Sequence, residues 1–155
     1  MAARRHLIAF GYALLLSAGQ APAAAQPGKS AATGTLVVEL YGFKNDRGQA
    51  LLAVFRSKQG FPDQVRHAIW SKALPIRSHR VVVTIEQMPA GRLALAVVHD
   101  EDRDFALNTG LFGIPTEGYG ASRDAPANFG PPSWEDAAFS LRAGERKPIR
   151  IRVRY

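Results

Sequence analysis

The chain has no cysteine. Disulfides, cysteine-ligated zinc, iron–sulfur clusters and thiol nucleophiles are therefore excluded. Histidine is scarce as well, with four in 155 residues, and methionine and tryptophan occur twice each. Catalysis would have to draw on those histidines and on thirteen carboxylates. The chain contains no His-x-x-x-His pair, no phosphate-cradling glycine motif and no Gly-x-Ser-x-Gly elbow around Ser122. What is present is an ordinary globular composition, 46% hydrophobic and 21% charged, at a length suited to one domain with a substantial core.

The first segment reads as an address. Arg4 and Arg5 precede an apolar run from Leu7 to Ala18, and small residues follow through Ala23-Ala24-Ala25. A basic start, an apolar stretch and an Ala-x-Ala exit form the signal-peptide pattern, with cleavage expected near Ala25. The run falls short of the roughly 18 apolar residues that cross a bilayer, so no transmembrane span is expected after cleavage. The expected location is periplasmic or secreted. Residues 26–34 read as a flexible tether and 35–155 as the folded domain. Losing Arg4 and Arg5 leaves eighteen basic residues against thirteen acidic ones, a mature charge of about +5.

The rest is punctuated by turns and short apolar alternations. Thr35–Tyr41 and Gln49–Phe55 flank a turn at residues 43–48 and read as a hairpin. Arg80–Ile85 and Arg92–His99 are further strands on either side of Met88-Pro89-Ala90-Gly91. At the C-terminal end Ile149, Ile151, Val153 and Tyr155 alternate with Arg150, Arg152 and Arg154, which is a strand with one apolar and one basic face. Ser133–Phe139 reads as one or two helical turns capped by Ser133. About seven short strands and no long 3.6-residue period indicate an all-β fold. The expectation is a single antiparallel β-sandwich with a long loop between residues 100 and 133. For an exported chain the arginine face points away from nucleic acid. It reads as a solvated face that blunts an edge strand, with envelope glycan, a lipid head group or a protein as possible partners.

The long loop begins with carboxylates at alternate positions. Asp100, Asp102 and Asp104, with Asn108 further on, follow the oxygen spacing of a calcium loop, so Ca²⁺ is the candidate ion. Phe105 stands where such a loop has glycine for its sharp turn, and Leu111 where it has a bidentate glutamate. The competing reading is a hydrogen-bonded acidic cap.

Several segments together resemble one family. They are Pro89-Ala90-Gly91, His99-Asp100-Glu101-Asp102, the loop Gly113-Ile114-Pro115-Thr116-Glu117-Gly118-Tyr119-Gly120, and Gly130-Pro131-Pro132-Ser133-Trp134-Glu135-Asp136-Ala137. In combination they are similar to the bacterial domain-of-unknown-function family numbered 2141. The resemblance implies an exported immunoglobulin-like or prealbumin-like sandwich with no established activity. It also implies that Asp102 and Asp104 stand at the family's oxygen-bearing positions, while Phe105 replaces a usual glycine.

In the residues themselves, the loop around Glu117 can fold back over the sandwich, with Tyr119 packed and Glu117 accepting backbone hydrogen bonds. A ligand surface would draw on His99, Glu117, Tyr119 and Trp134. His99 and Asp100 are neighbours on a strand and point to opposite faces, so they make a poor catalytic dyad. The expected function is that of an exported, non-catalytic binding or structural module of the cell envelope. The alternative is an envelope polysaccharide hydrolase using Glu117 and Glu135 as a carboxylate pair.

Overall fold

The computed structural model describes residues 32–111, 114–127 and 130–155. The expected leader, the tether as far as residue 31, and Gly113 of the glycine-rich loop lie outside them. Eight strands occur among the described residues: β1 (Thr33–Tyr41), β2 (Gln49–Phe55), β3 (Trp70–Leu74), β4 (Arg80–Pro89), β5 (Gly91–Asp100), β6 (Gly118–Ala121), β7 (Phe139–Leu141) and β8 (Arg146–Arg152). One sheet has the order β4-β1-β8 and the other β3-β2-β5-β6, with β7 paired to the start of β5. This is the expected all-β sandwich, with one departure from a wholly antiparallel scheme. β1 is antiparallel to β4 but parallel to β8.

Alternation decides the core. Leu36, Val38 and Leu40 of β1 and Leu93 and Leu95 of β5 are completely buried, and Ile149, Ile151 and Val153 join them from the C-terminal strand. Period-two sequences give each sheet one apolar face, and burying these faces against each other is the main driving force of the fold. The turn after β1 does not make the hairpin expected of it. β1 and β2 lie in different sheets, because both edges of β1 are taken by β4 and β8. Leu36, Val38 and Leu40 thus share one core with Ala50, Leu52 and Val54 of β2. Gly42, with φ +87°, helps the chain turn from one sheet to the other. Asp46 in the same turn accepts the N–H groups of Ser78 and His79, both at 2.7 Å, and so ties it to the β3–β4 connection.

β5 is covered on its second face too. Ala94 and Ala96 lie under a smaller cluster with Ala53, Phe55, Ala121, Ala125, Trp134, Ala137 and Ala138. The small alanines allow close approach. Phe61 bridges Phe55 and Trp134 edge-on, at centroid distances of 5.4 and 5.9 Å. Helix α1 (Trp134–Ala137) forms where its cap predicts, and Ser133 Oγ accepts the Asp136 N–H. Ser122 stitches this layer to the sheet. It is fully buried, accepts the Leu95 N–H at 2.9 Å and donates to the Ala137 carbonyl at 2.7 Å.

The two sheets join along one side. Tyr119 of β6 and Arg154 exchange both backbone hydrogen bonds at 2.9 Å. This approach explains the glycines on either side of Tyr119. A Cβ on Gly118 would lie 2.6 Å from the Tyr155 ring, and one on Gly120 would lie 2.5 Å from the Arg152 carbonyl oxygen.

Replacing Ser122 with alanine would leave a buried donor and a buried acceptor without partners. The expected loss is about 1–3 kcal/mol, read from urea unfolding with an unchanged m-value. A change within about 0.3 kcal/mol would mean that the hydroxyl does not join these layers.

Candidate functional site

The polar residues singled out in the sequence gather mainly where β5 ends. Among the described residues four polar ones are buried: His99, Asp100, Glu117 and Ser122. β6 pairs antiparallel with β5, and Gly118 opposite His99 carries Glu117 to the Asp100 end of the strand.

His99 is held at both ring nitrogens. Nε2 lies 2.8 Å from the Arg47 carbonyl oxygen, which can only accept, so Nε2 carries the proton. Nδ1 is then the acceptor and the Tyr155 hydroxyl its donor. The Tyr155 oxygen in turn accepts the Lys44 N–H at 3.0 Å. Desolvation pushes the Tyr155 hydroxyl above the ordinary phenol range, against the lowering effect of Lys44, and so keeps it a donor. Phe43 packs edge-on to the imidazole at 5.2 Å. The histidine thus ties the β1–β2 turn to the C-terminal segment.

The two buried carboxylates organise the loop. Asp100 accepts from the Gln49 side chain at 2.7 Å, the Asp104 N–H at 3.1 Å and the Phe105 N–H at 3.2 Å. Glu117 accepts the Glu101 N–H at 2.7 Å and the Asn108 N–H at 3.0 Å. Arg103 and Phe105 both adopt φ +65°, the left-handed conformation that glycine takes most easily. The Phe105 side chain is 69% exposed, so little packing offsets its strain.

Asp100, Asp102 and Glu117 each place an oxygen within 4.8 Å of the other two. The expected metal set was Asp100, Asp102, Asp104 and Asn108. Asp104 lies outside the close group, and its Oδ1 accepts the Ala106 N–H at 2.8 Å. Asn108 meets the group as a donor, its side-chain amide to Asp102 Oδ2 at 2.8 Å and its backbone N–H to Glu117 Oε2 at 3.0 Å. Glu117 is the member that loop spacing could not find, because strand pairing, not local sequence, delivers it.

Glu101 faces the other way. Burial opposes its ionisation, but hydrogen bonds from Lys44, Asn45 and Arg47 prevail and hold its carboxyl at about 2. Lys44 and Arg47 make ion pairs with it at 2.5 and 2.7 Å.

The expected ligand surface does not form as one surface. Glu117 is buried under the loop, His99 is buried between the β1–β2 turn and Tyr155, and Tyr119 borders a side groove with Arg152 and Arg154. Trp134 packs into the second cluster, near Arg92 at the opposite end of β5. Of the carboxylates considered as a pair, Glu135 lies beside Trp134 in the first turn of α1, while Glu117 is buried and bound to the amides of Glu101 and Asn108.

A sequence model described as an uncharacterized protein conserved in bacteria, DUF2141, matches residues 38–149. The chain belongs to this family. No curated protein and no solved structure matches it. Within DUF2141, the motif segments of this chain acquire physical roles: Asp100 and Glu117 bind the loop, His99 ties the β1–β2 turn to Tyr155, and Gly118 and Gly120 admit the C-terminal segment beside Tyr119.

Because Glu101 is more acidic in the fold than its ordinary value of 4.5, its contribution is complete above that pH and is lost as pH falls toward about 2. Glu101→Gln should flatten the acid limb of stability in that window. Its cost at neutral pH should be about 1 kcal/mol, since Lys44 and Arg47 are largely solvated. Stability profiles of the two proteins that run parallel between pH 5 and 2 would contradict this assignment.

Proposed function

We propose that this DUF2141 chain is an exported, non-catalytic β-sandwich that works at the cell envelope by binding. The observation that carries this reading is the engagement of the residues with chemical potential. His99 uses both ring nitrogens, Asp100 and Glu117 accept loop amides, and the Ser122 hydroxyl both donates and accepts inside the fold. A general base or nucleophile needs a free lone pair facing substrate, and these are spent on positioning backbone. The basic start, apolar run and Ala-x-Ala exit of residues 4–25 support export. Cell fractionation checks this directly. The expected product is a shortened chain in the periplasm or medium, and an uncleaved chain in the cytoplasm would overturn it.

Calcium is a secondary ligand in this reading, favoured by the convergence of Asp100, Asp102 and Glu117. These oxygens suit a hard cation, but each carboxylate already accepts N–H donors, so binding has to compete with the loop's own hydrogen bonds. Affinity near 1 mM follows as an order of magnitude. At about 10 mM calcium the stabilisation is then about 1.4 kcal/mol, a rise in melting temperature on the order of 5 °C. Asp102→Asn, which alters the exposed member, should abolish the rise while leaving the chelated protein's melting point nearly unchanged. Identical melting of the unsubstituted protein in calcium and in chelator would remove the ion from the account.

A further inference from the structure

The exposed arginines of β8 and its extension are not equivalent. Arg150 is neutralised: its Nε lies 3.1 Å from Glu39 Oε2 and its guanidinium sits 4.9 Å above the Tyr41 ring. Arg80 completes the set with an ion pair to Glu39 Oε1, so Glu39 is already shared by two cations. Arg152 and Arg154 are different. Among the described residues neither guanidinium has a carboxylate within ion-pair distance; Arg154 reaches only the Asp124 carbonyl, at 3.4 Å, and Asp124 Oδ1 is bound to the Arg152 backbone N–H at 2.9 Å.

These two arginines border a groove of about 230 Å³ whose other walls are Tyr119, Asp124, Pro126 and Tyr155. The wall opposite β8 is strained. Arg123 and Asp124 are consecutive non-glycine residues at φ +60° and +50°, held there by the Arg152 N–H and by an Arg123 hydrogen bond to the Ala138 carbonyl. Strain of this kind persists only where surrounding contacts over-determine the backbone, and it is concentrated at ligand-binding segments. Gly120 adds to the shape, since a side chain there would collide with the Arg152 carbonyl and push the groove's two sides apart.

We infer that this groove binds a carboxylated sugar unit of a linear acidic polysaccharide, with Arg152 and Arg154 on its carboxylates and Tyr119 against a sugar ring. The inference rests on the reading of the chain as an envelope binding module and names the chemistry of its partner. Guanidinium forks match carboxylates in geometry, and two of them without acidic partners leave local positive charge for a ligand to neutralise. Alternate residues of a strand lie about 6.8 Å apart, a spacing that suits successive charges on a polymer chain. Tyr119 is half-exposed beside the charges, and an aromatic face gives apolar contact to a sugar ring while its hydroxyl stays wet. A concave site with the Tyr119 ring on one side favours a chain of sugar rings over a flat lipid surface.

Titration calorimetry of the signal-free protein with polygalacturonate tests the inference, with neutral dextran and phosphatidylglycerol vesicles as comparison ligands. Binding is expected to polygalacturonate alone, weakening as salt rises from about 0.01 to 0.15 M. Arg152→Glu with Arg154→Glu should weaken it at least about tenfold, and Tyr119→Ala several-fold. Arg146→Glu, a single charge reversal on β8 outside the groove, should have less than about a twofold effect, against at least about threefold for Arg152→Glu or Arg154→Glu alone. If the double charge reversal fails to fold, Arg152→Gln with Arg154→Gln reads out the same loss. No binding to polygalacturonate at low salt, equal losses for Arg146→Glu, or a preference for vesicles would each overturn the inference. Envelope fractionation distinguishes the failures, because an exported protein that ignores polygalacturonate refutes the ligand but not the location.

Discussion

A carboxylate buried in a protein has to be surrounded by donors, and at the end of β5 the loop itself supplies most of them. Asp100 and Glu117 are enclosed by Gln49 and by the amides of Glu101, Asp104, Phe105 and Asn108. The dependence runs both ways. Residues 101–108 make little regular structure of their own, so they hold their course because two buried charges require their N–H groups. The carboxylates, for their part, are tolerable in the interior because those N–H groups converge. Next to them, neutral His99 links the β1–β2 turn to Tyr155, so three separate segments meet on one short stretch of β5.

This arrangement depends on the sandwich. β2 sets Gln49 opposite Asp100, and β6 sets Gly118 opposite His99, so the register of two neighbouring strands delivers the donors and the second carboxylate. A one-residue slip of β6 would turn Glu117 to the other face. That register is fixed in turn by Gly118 and Gly120, the positions where β6 runs against the C-terminal segment too closely for a side chain. The Glu-Gly-Tyr-Gly run therefore combines an anchor, two points of close contact and an aromatic side chain left at the groove.

Much of the fold was legible in the sequence because burial at period two leaves a plain trace. β1, β2, β4, β5 and the C-terminal strand all show it, and Ser133 announced its helix through the cap. β3, β6 and β7 escaped notice for different reasons. β3 exposes three successive residues between Trp70 and Leu74, β6 is a four-residue Gly-Tyr-Gly-Ala segment, and β7 spans three residues, so none of them carries an alternation long enough to read. The parallel pairing of β1 with β8 joins residues more than a hundred positions apart, and nothing local encodes it. At the site, the role of Glu117 as an acceptor of backbone hydrogen bonds was readable, and so was Phe105 as a residue standing where a sharp turn calls for glycine. The partnership of Glu117 with Asp100 and Asp102 was not, because pairing between strands creates it. Nor was the difference among the three arginines, which arises from Glu39 and Tyr41 on the neighbouring strand.

The central claim is that buried Asp100 and Glu117 hold the loop by accepting its amide protons. Amide hydrogen exchange, residue by residue, measures this most directly. Protection at Glu101, Asp104, Phe105 and Asn108 should approach that of the β5 core, with neighbouring Asp102 and Arg103 exchanging quickly. In Glu117→Gln, which keeps the side chain's shape and removes its charge, Glu101 and Asn108 should lose protection before β5 does. Exchange at these four amides as fast as at Asp102 and Arg103 in the unsubstituted protein would contradict the account.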